Sequence, residues 1–380
     1  MPSAIDYLLS LPPYGMAPEV KTAALLAGVH EQIAYHEAHC PPYARWLRHQ
    51  GFDLRRPVQS LAGVPWLPVG IFKRMFLSSV PESQFVRVLT SSGTSAQVPS
   101  RLPLDRTTRN RQMKALAAIL SHRLGGQRRP FLILDAPPQE PQHADRELSA
   151  RVAGLRGYLM AATEQEYALR SDGGRLLLDR ARVVAAVERW AAAGTPFCLL
   201  GYTYVLYEYV VRPLRAEGAR IDLPPSTFVM HFGGWKHLHQ QAVTKPVLTD
   251  HAAEVFGVGA GSIVDIYGFT EQLGVIYPDD PYGVKHTPTY AEVLVRDPRT
   301  LDIVPDGAVG LLEFICPLPH SYPGVAVLLD DMGRIIGRDA GDDSGSGTAF
   351  EVIGRAQRAE TRGCGDTLPR QVYETGGTIR

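Results

Sequence analysis

The chain has 380 residues, 45% apolar and 21% charged, the proportions of a folded globular protein with one large domain and an appendage, or two ordinary domains. Lys plus Arg equals Asp plus Glu at 39 each, so net charge gives no global attraction to nucleic acid or anionic lipid. No apolar run approaches the roughly 20 residues of a membrane-spanning helix, and MPSAIDYLLSLPPYG lacks the basic start and long apolar stretch of a signal peptide, so a reducing cytoplasm is the expected location.

The first sixty residues read as helical, with apolar positions at helical spacing in EVKTAALLAGVHEQIAYHEAHC. Val86, Val88 and Leu89 form a short strand, after which comes the run TSSGTSA and then a helix capped by Asp105, with Met113, Leu116, Leu120 and Leu124 on its buried face. Strands and helices then alternate: PFLILDA, LDRARVVAAVERWAAAG, PFCLLG, YVLYEYVVRPLRAEG, TFVMHFGG, TDHAAEVFG and SIVDIYGFTE. That alternation predicts an α/β core with a largely parallel sheet. From about Tyr290 the runs AEVLVRDP, GLLEFICPLP, VAVLLDD and FEVIGRA predict an antiparallel half, with a small barrel as one form. RDAGDDSGSGTAF, between the last two, reads as a mobile loop.

The run Thr90, Ser91, Ser92, Gly93, Thr94 and Ser95 puts small residues and hydroxyls at what reads as a strand-to-helix junction, where backbone N–H groups approach a phosphate closely. The Walker pattern is absent, and a plain Ser/Thr-rich surface turn is the competing reading. Three stretches weigh against the plain turn. HFGGWK ends a strand on Gly233 and Gly234, DIYGFTEQ ends another on an aromatic, a glycine, a hydroxyl and a carboxylate, and LLDDMGR supplies acids for a ribose or a metal. In open α/β sheets ligands lie outside the carboxyl ends of the strands. Together these are the parts of an ATP site.

Of the cysteines Cys40, Cys198, Cys316 and Cys364, none forms a C-x-x-C pair, and Cys198 and Cys316 lie in apolar runs that read as core. Cys364 stands in ETRGCGD between two glycines and near Arg362, a setting that favours a mobile, reactive thiolate. HEAHC and KHLHQ each lack a second spaced ligand pair and are read as non-metal. Leu199 to Val211, LLGYTYVLYEYVV, either lines a channel for an apolar chain or packs as core.

The order of these motifs resembles the adenylate-forming superfamily. More specifically, HFGGWK, GFTEQ, KHTPTYAEVLVRDPRTL, SYPGVAVLLDDMG and FEVIGRAQRAETRGCG resemble the acyl-protein synthetases, the ATP-dependent subunits of bacterial fatty-acid reductase complexes. The similarity includes YHEAHCPPYARWL and so spans nearly the whole chain. It implies one large adenylate-forming α/β domain over 1–354, with parallel and mixed sheets, a helical part in 1–60 and a β-rich C-terminal half. A short mobile segment, 355–380, would carry Cys364.

The resemblance further implies ATP and Mg²⁺, a carboxylic and most often fatty acid substrate, and transfer from acyl-adenylate to Cys364 and on to a reductase partner. Thr90 to Ser95 would cradle the β- and γ-phosphates, and Tyr267, after which Gly268 follows, would lie on adenine. Thr270 would contact the α-phosphate, Glu271 would bind Mg²⁺ and Asp331 would accept the ribose hydroxyls. Gly233 and Gly234 would wall the adenine and acyl pockets, and Lys236 or Arg355 would supply a cation. Related sequences usually carry Thr and Gly at Ser95 and Ala96. Like that branch, the chain ends soon after Cys364. Two alternatives stay open: a ligase that hands the acyl group to coenzyme A or a carrier protein, and a non-catalytic nucleotide-binding subunit.

Overall fold

The computed structural model describes residues 3–56, 58–91, 99–137, 147–172, 175–235, 242–338 and 347–356. Three helices, α1 (Ala4–Leu8), α2 (Pro18–His39) and α3 (Pro41–His49), occupy the segment read as helical. Pro opens α2 and α3, at a position where the N–H it lacks has no partner to lose. Strand β1 (Leu67–Pro68) and one helical turn, α4 (Ile71–Arg74), lead to β2 (Arg87–Thr90), β3 (Arg101–Leu104) and α5 (Arg106–Leu124). Asp105 caps α5, its Oδ1 accepting from the Thr108 N–H at 2.7 Å.

The run Thr90–Ser95 does not lead straight into that helix. Thr90 pairs with Arg101 in an antiparallel β2–β3 hairpin, and α5 begins only at Arg106. Among the described residues no helix begins at the run's own junction. Pro103 is accommodated because β3 is an edge strand, in a sheet of order β3-β2-β5, with β5 being Glu147–Ser149.

The central sheet is built from β4 (Arg129–Leu134), β6 (Ala162–Tyr167), β9 (Cys198–Tyr202), β10 (Phe228–Phe232), β11 (Ile263–Tyr267) and β12 (Tyr277–Pro278). Between them lie α6 (Ala150–Tyr158), the hairpin β7 (Leu169–Asp172) and β8 (Arg175–Leu178), α7 (Arg180–Ala192) and α10 (Lys245–Phe256). A helix follows β9 as α8 (Thr203–Val205), a π-helical stretch Leu206–Val211, and α9 (Arg212–Ala216). Strand order is β12-β11-β10-β9-β4-β6, parallel except at edge strand β12. Alternation along each strand divides two cores. Phe131, Leu200, Met230, Val264 and Ile266 join one with α2, α5 and the C-terminal sheet, whereas Leu132, Leu199, Val229 and Ile263 join the other with α7, α10 and the π stretch.

The C-terminal half contains β13 (Lys285–His286), β14 (Glu292–Arg296), β15 (Gly310–Ile315), β16 (Ala326–Gly337) and β17 (Ala349–Arg355). They run antiparallel in the order β13-β17-β16-β15-β14, and β1 adds in parallel to β16. The antiparallel expectation is met. Among the described residues the barrel is not, because this order ends at the two-residue β13 and at β14, and neither pairs with the other.

Candidate active site

Strands β9, β10 and β11 end together at Tyr202, Phe232 and Tyr267, on the edge of the central sheet where an open α/β sheet receives ligands. Beneath that edge lies a charged network with Lys285 and Asp279 buried at its centre. Lys285 Nζ lies 3.0 Å from Asp265 Oδ2 and 2.9 Å from Asp279 Oδ1, and Lys245 Nζ is 2.8 Å from Asp279. Burial opposes charge on Asp265, but Lys285 and the neighbouring cations outweigh it and hold the carboxyl well below its usual range. His231 Nδ1 is 3.0 Å from Thr203 Oγ1, so the segment that follows β9 is tied to strand β10 through one imidazole.

Gly233 and Gly234 follow β10 with φ of 84° and 61°, in the region that favours glycine. A Cβ on Gly233 would stand 2.9 Å from Tyr202 Cδ1, so this turn lies against the Tyr202 ring. The aromatic stretch beyond it is mostly core. Tyr202, Tyr204 and Tyr207 are buried, and Tyr207 donates or accepts at 2.9 Å with His251 Nδ1 while meeting Trp235 edge-on.

Past β11, Gly268 is exposed and Thr270 opens the turn Thr270–Gln272. The turn is fixed by the loop Ser321–Gly324. Tyr322 donates its hydroxyl to the Glu271 carbonyl at 2.9 Å, and Gln272 Nε2 donates to the Gly324 carbonyl at 2.9 Å. The Glu271 side chain is only 5% exposed. Burial raises its carboxyl above the usual Glu range, against the downward pull of the Ser100 hydroxyl and the Lys73 ammonium.

Ser100 joins this carboxylate to the hydroxyl-rich hairpin. Its Oγ donates to Glu271 Oε1 at 3.1 Å, its N–H donates to Ser91 Oγ at 2.8 Å, and its carbonyl accepts from the Ser91 N–H at 3.0 Å. The base of the run that begins at Thr90 and Ser91 is thereby fixed beside Glu271. Neither Ser100 nor Lys73 stood out in the sequence. Ser100 lies in the stretch VPSRLPLD, and only its contact across the fold separates it from an ordinary turn serine.

A second group gathers at β16. Tyr267 donates its hydroxyl to Asp331 Oδ2 at 2.7 Å, and Arg355 Nε lies 3.4 Å from Asp331 Oδ1. Asp331 sits inside a strand rather than in a turn, opposite Arg355 on β17. Burial, and then the Asp331 charge, push the Tyr267 hydroxyl well above its ordinary value, so it stays a donor. Its half-buried ring packs on Phe269, Tyr277 and Phe314.

Of the residues picked from sequence, Thr90, Ser91, Gly233, Gly234, Tyr267, Gly268, Thr270, Glu271, Asp331 and Arg355 are described, and two groups form, one around Glu271 and one around Asp331. Ser92, Gly93, Thr94, Ser95, Lys236 and Cys364 lie outside the described residues, as do 339–346 and most of 355–380. Cys40, Cys198 and Cys316 are buried, and burial pushes both the Cys198 and Cys316 thiols up to about 12.

Glu271 suits Mg²⁺, a hard ion that takes one or two protein carboxylates and completes its shell with water and substrate phosphate. Among the described residues no three His, Cys, Asp or Glu side chains form a metal cage, so an ion here would draw its other ligands from those sources. No helix among the described residues is long and apolar enough to cross a membrane.

Known proteins resemble this chain in sequence and in fold. Two curated relatives are long-chain-fatty-acid–luciferin-component ligases. That of Vibrio harveyi is 23% identical over 343 residues, covering 90% of this chain and 86% of the relative, and that of Aliivibrio fischeri is 22% identical over 305 residues, covering 79% and 76%. The open conformation of 2-hydroxyisobutyryl-CoA ligase, solved with 2-HIB-AMP and CoA, superposes with a TM-score of 0.64 at 17% identity, covering 90% of this chain and 76% of that one. Its postadenylation state gives 0.63 at 16% identity, covering 90% and 69%. These likenesses establish the fold as that of adenylate-forming ligases. The family model described as acyl-protein synthetase, LuxE, matches residues 2–373, and the chain therefore belongs to the acyl-protein synthetase family of ligases.

Proposed function

We infer that this ligase activates a long-chain fatty acid with ATP to an acyl-adenylate and passes the acyl group to the Cys364 thiol, for delivery to an acyl-accepting protein such as a reductase. The reading is carried by one observation: Ser100 binds both Ser91 at the base of the hydroxyl-rich run and the buried Glu271 carboxylate. A phosphate cradle and a magnesium carboxylate would be useful only side by side, and Ser100 bonds both Ser91 and Glu271, one residue of each. We place the protein in the cytoplasm, where ATP and a reduced thiol are both available.

A carboxylate is a poor acyl donor because its leaving group is oxide. Adenylation replaces that with AMP, and the protein must hold the polyphosphate in line while charge moves onto pyrophosphate. Thr90 to Ser95 would supply phosphate donors and Glu271 would hold Mg²⁺, which when bound neutralises phosphate charge. Asp331, braced by Tyr267, would accept the ribose hydroxyls, and the Tyr267 ring would carry adenine. Gly233 and Gly234 would line the boundary of base and acyl sites, with Thr270 at the α-phosphate and Lys236 or Arg355 giving further positive charge. Arg355 lies beside Asp331, at what would be the ribose end of this arrangement.

Cys364 is the acceptor in this reading because a thiolate is the nucleophile and the three described cysteines are buried, two with strongly raised thiol pKa values. The test is ATP–pyrophosphate exchange with Mg²⁺ and a panel of acids, run on the wild type and Cys364→Ser. Exchange that requires a long-chain acid is expected in both, within about threefold, because Cys364 acts after adenylation. Covalent acyl label should appear on the wild type alone. Label on Cys364→Ser, or acyl transfer to added coenzyme A at the same rate in both, sinks the cysteine assignment, and no exchange with any acid sinks the adenylation reading.

A further inference from the structure

Lys73 occupies a position that the motif comparison leaves unassigned. Its helix, α4, is fixed from two directions. Upstream, β1 adds to β16 through the rungs Leu67↔Val327 and Pro68↔Leu328, and the Val69 N–H donates to the Leu328 carbonyl at 2.8 Å. That register brings the chain alongside β16 two residues before Asp330 and three before Asp331. Within α4, Phe72 is fully buried and meets Tyr322 edge-on with ring centroids 6.2 Å apart, and Tyr322 is the residue whose hydroxyl holds the Glu271 carbonyl. The helix that carries Lys73 is thus held between β16, beside its acids, and the Tyr322 ring that braces the Glu271 turn.

The electrostatics agree with the packing. The Lys73 ammonium acts on the charge of both the Glu271 and the Asp330 carboxylates. One cation therefore reaches both a β16 acid and Glu271. If ribose sits at Asp331 and the metal-bound phosphates at Glu271, the α-phosphate lies between them, because it joins the ribose to the β-phosphate. This step rests on the adenylation reading above.

We propose that Lys73 is a catalytic residue of adenylation, its ammonium contacting the α-phosphoryl oxygens and the departing pyrophosphate. A carboxylate oxygen of the acid bonds to the α-phosphorus, the bond from that phosphorus to the bridging oxygen breaks, and pyrophosphate leaves with the electron pair. Lys73 stays protonated throughout and transfers no proton. Its charge stabilises negative charge that builds on the phosphoryl oxygens in the transition state.

The test compares wild type, Lys73→Met and Lys73→Arg in two assays. In acid-dependent pyrophosphate exchange, Lys73→Met should lose about 100-fold or more in turnover, while Lys73→Arg stays within about tenfold. In the second assay a chemically prepared long-chain acyl-adenylate is supplied without ATP, and acyl label on the chain is measured. Here Lys73→Met should label within about threefold of wild type, because the adenylate is already made. Exchange by Lys73→Met within about threefold of wild type overturns the proposal, as does loss of both exchange and labelling, which marks a scaffold residue. Failure of the wild type itself to exchange overturns the adenylation reading, and the role of Lys73 falls with it.

Discussion

Asp331 is gripped at both carboxylate oxygens, by the Tyr267 hydroxyl at 2.7 Å and by the Arg355 guanidinium at 3.4 Å. The two grips are unequal. Arg355 is 80% exposed in its side chain, so solvent screens its charge, whereas Tyr267 is half-buried and geometrically fixed by its aromatic neighbours. Tyr267 therefore sets the rotamer of Asp331, the one that in the proposed site would meet a ribose. Removing the hydroxyl in Tyr267→Phe costs Asp331 one hydrogen bond to a charged group, about 1.5 kcal/mol, or roughly tenfold in affinity. The KM for ATP should rise by about that factor with kcat little changed, because ribose is held equally before and during the reaction. Sensitivity to the loss of a ribose hydroxyl should shrink in the variant. Equal discrimination against 2′-deoxy-ATP by wild type and Tyr267→Phe would show that Asp331 does not read the sugar.

At the scale of elements, the β2–β3 hairpin shows what the sequence could and could not disclose. Its residues were legible as a small, hydroxylated run, and the carboxylate turn at Glu271 was legible as a motif. Their connection was not. Arg101–Leu104 is only four residues long and contains Pro103, so it carries too little alternation to be read as a strand and hides the hairpin. What shapes the site is the Ser100 hydroxyl, bonded to Glu271 across a sequence separation of 171 residues. Ser100→Ala leaves the fold intact but removes a donor from a buried carboxylate, worth about 1.5–3 kcal/mol. Acid-dependent exchange should fall about 10- to 100-fold. If the serine acts through Glu271, the same substitution in a Glu271→Gln background should add little, a non-additive cycle. Full additivity would mean that the hairpin and the carboxylate work independently.

The whole molecule is closed by its N-terminal helices, which bind the C-terminal half from far away in sequence. Lys21 lies 3.0 Å from Glu292 and donates to Thr287 Oγ1 at 2.8 Å, and the Gly28 backbone packs close to Pro317. The helical spacing of α2 was readable, but its partners were not, since periodicity shows that a face is buried and not what buries it. His36 is the clearest case. It is fully buried, with Nδ1 2.7 Å from Ser79 Oγ and Nε2 3.2 Å from the carbonyl of Pro319, 283 residues away. A carbonyl only accepts, so the proton sits on Nε2, and Nδ1 accepts from Ser79. Burial, outweighing the carbonyl bond and aided by His320, Arg111 and His39, lowers its pKa from 6.5 to about 3. The unfolded chain therefore takes up a proton below about pH 6.5 that the folded chain refuses until about pH 3, so acidification in that window favours unfolding. Each pH unit there is worth about 1.4 kcal/mol, so this one residue should cost about 2 kcal/mol between pH 6.5 and pH 5. Asp105, held down to about 2 in the fold despite burial by its bonds to His320 and Thr108, acts only below the unfolded Asp range and leaves this window clear. His231 is also lowered by burial and adds its own slope, so the informative quantity is the difference between wild type and His36→Gln. Urea unfolding at pH 7, 6 and 5 should show a shallower loss of stability in the variant, even if it starts lower at pH 7. Parallel curves would mean that the protein does not carry His36 as a neutral clamp between its two ends.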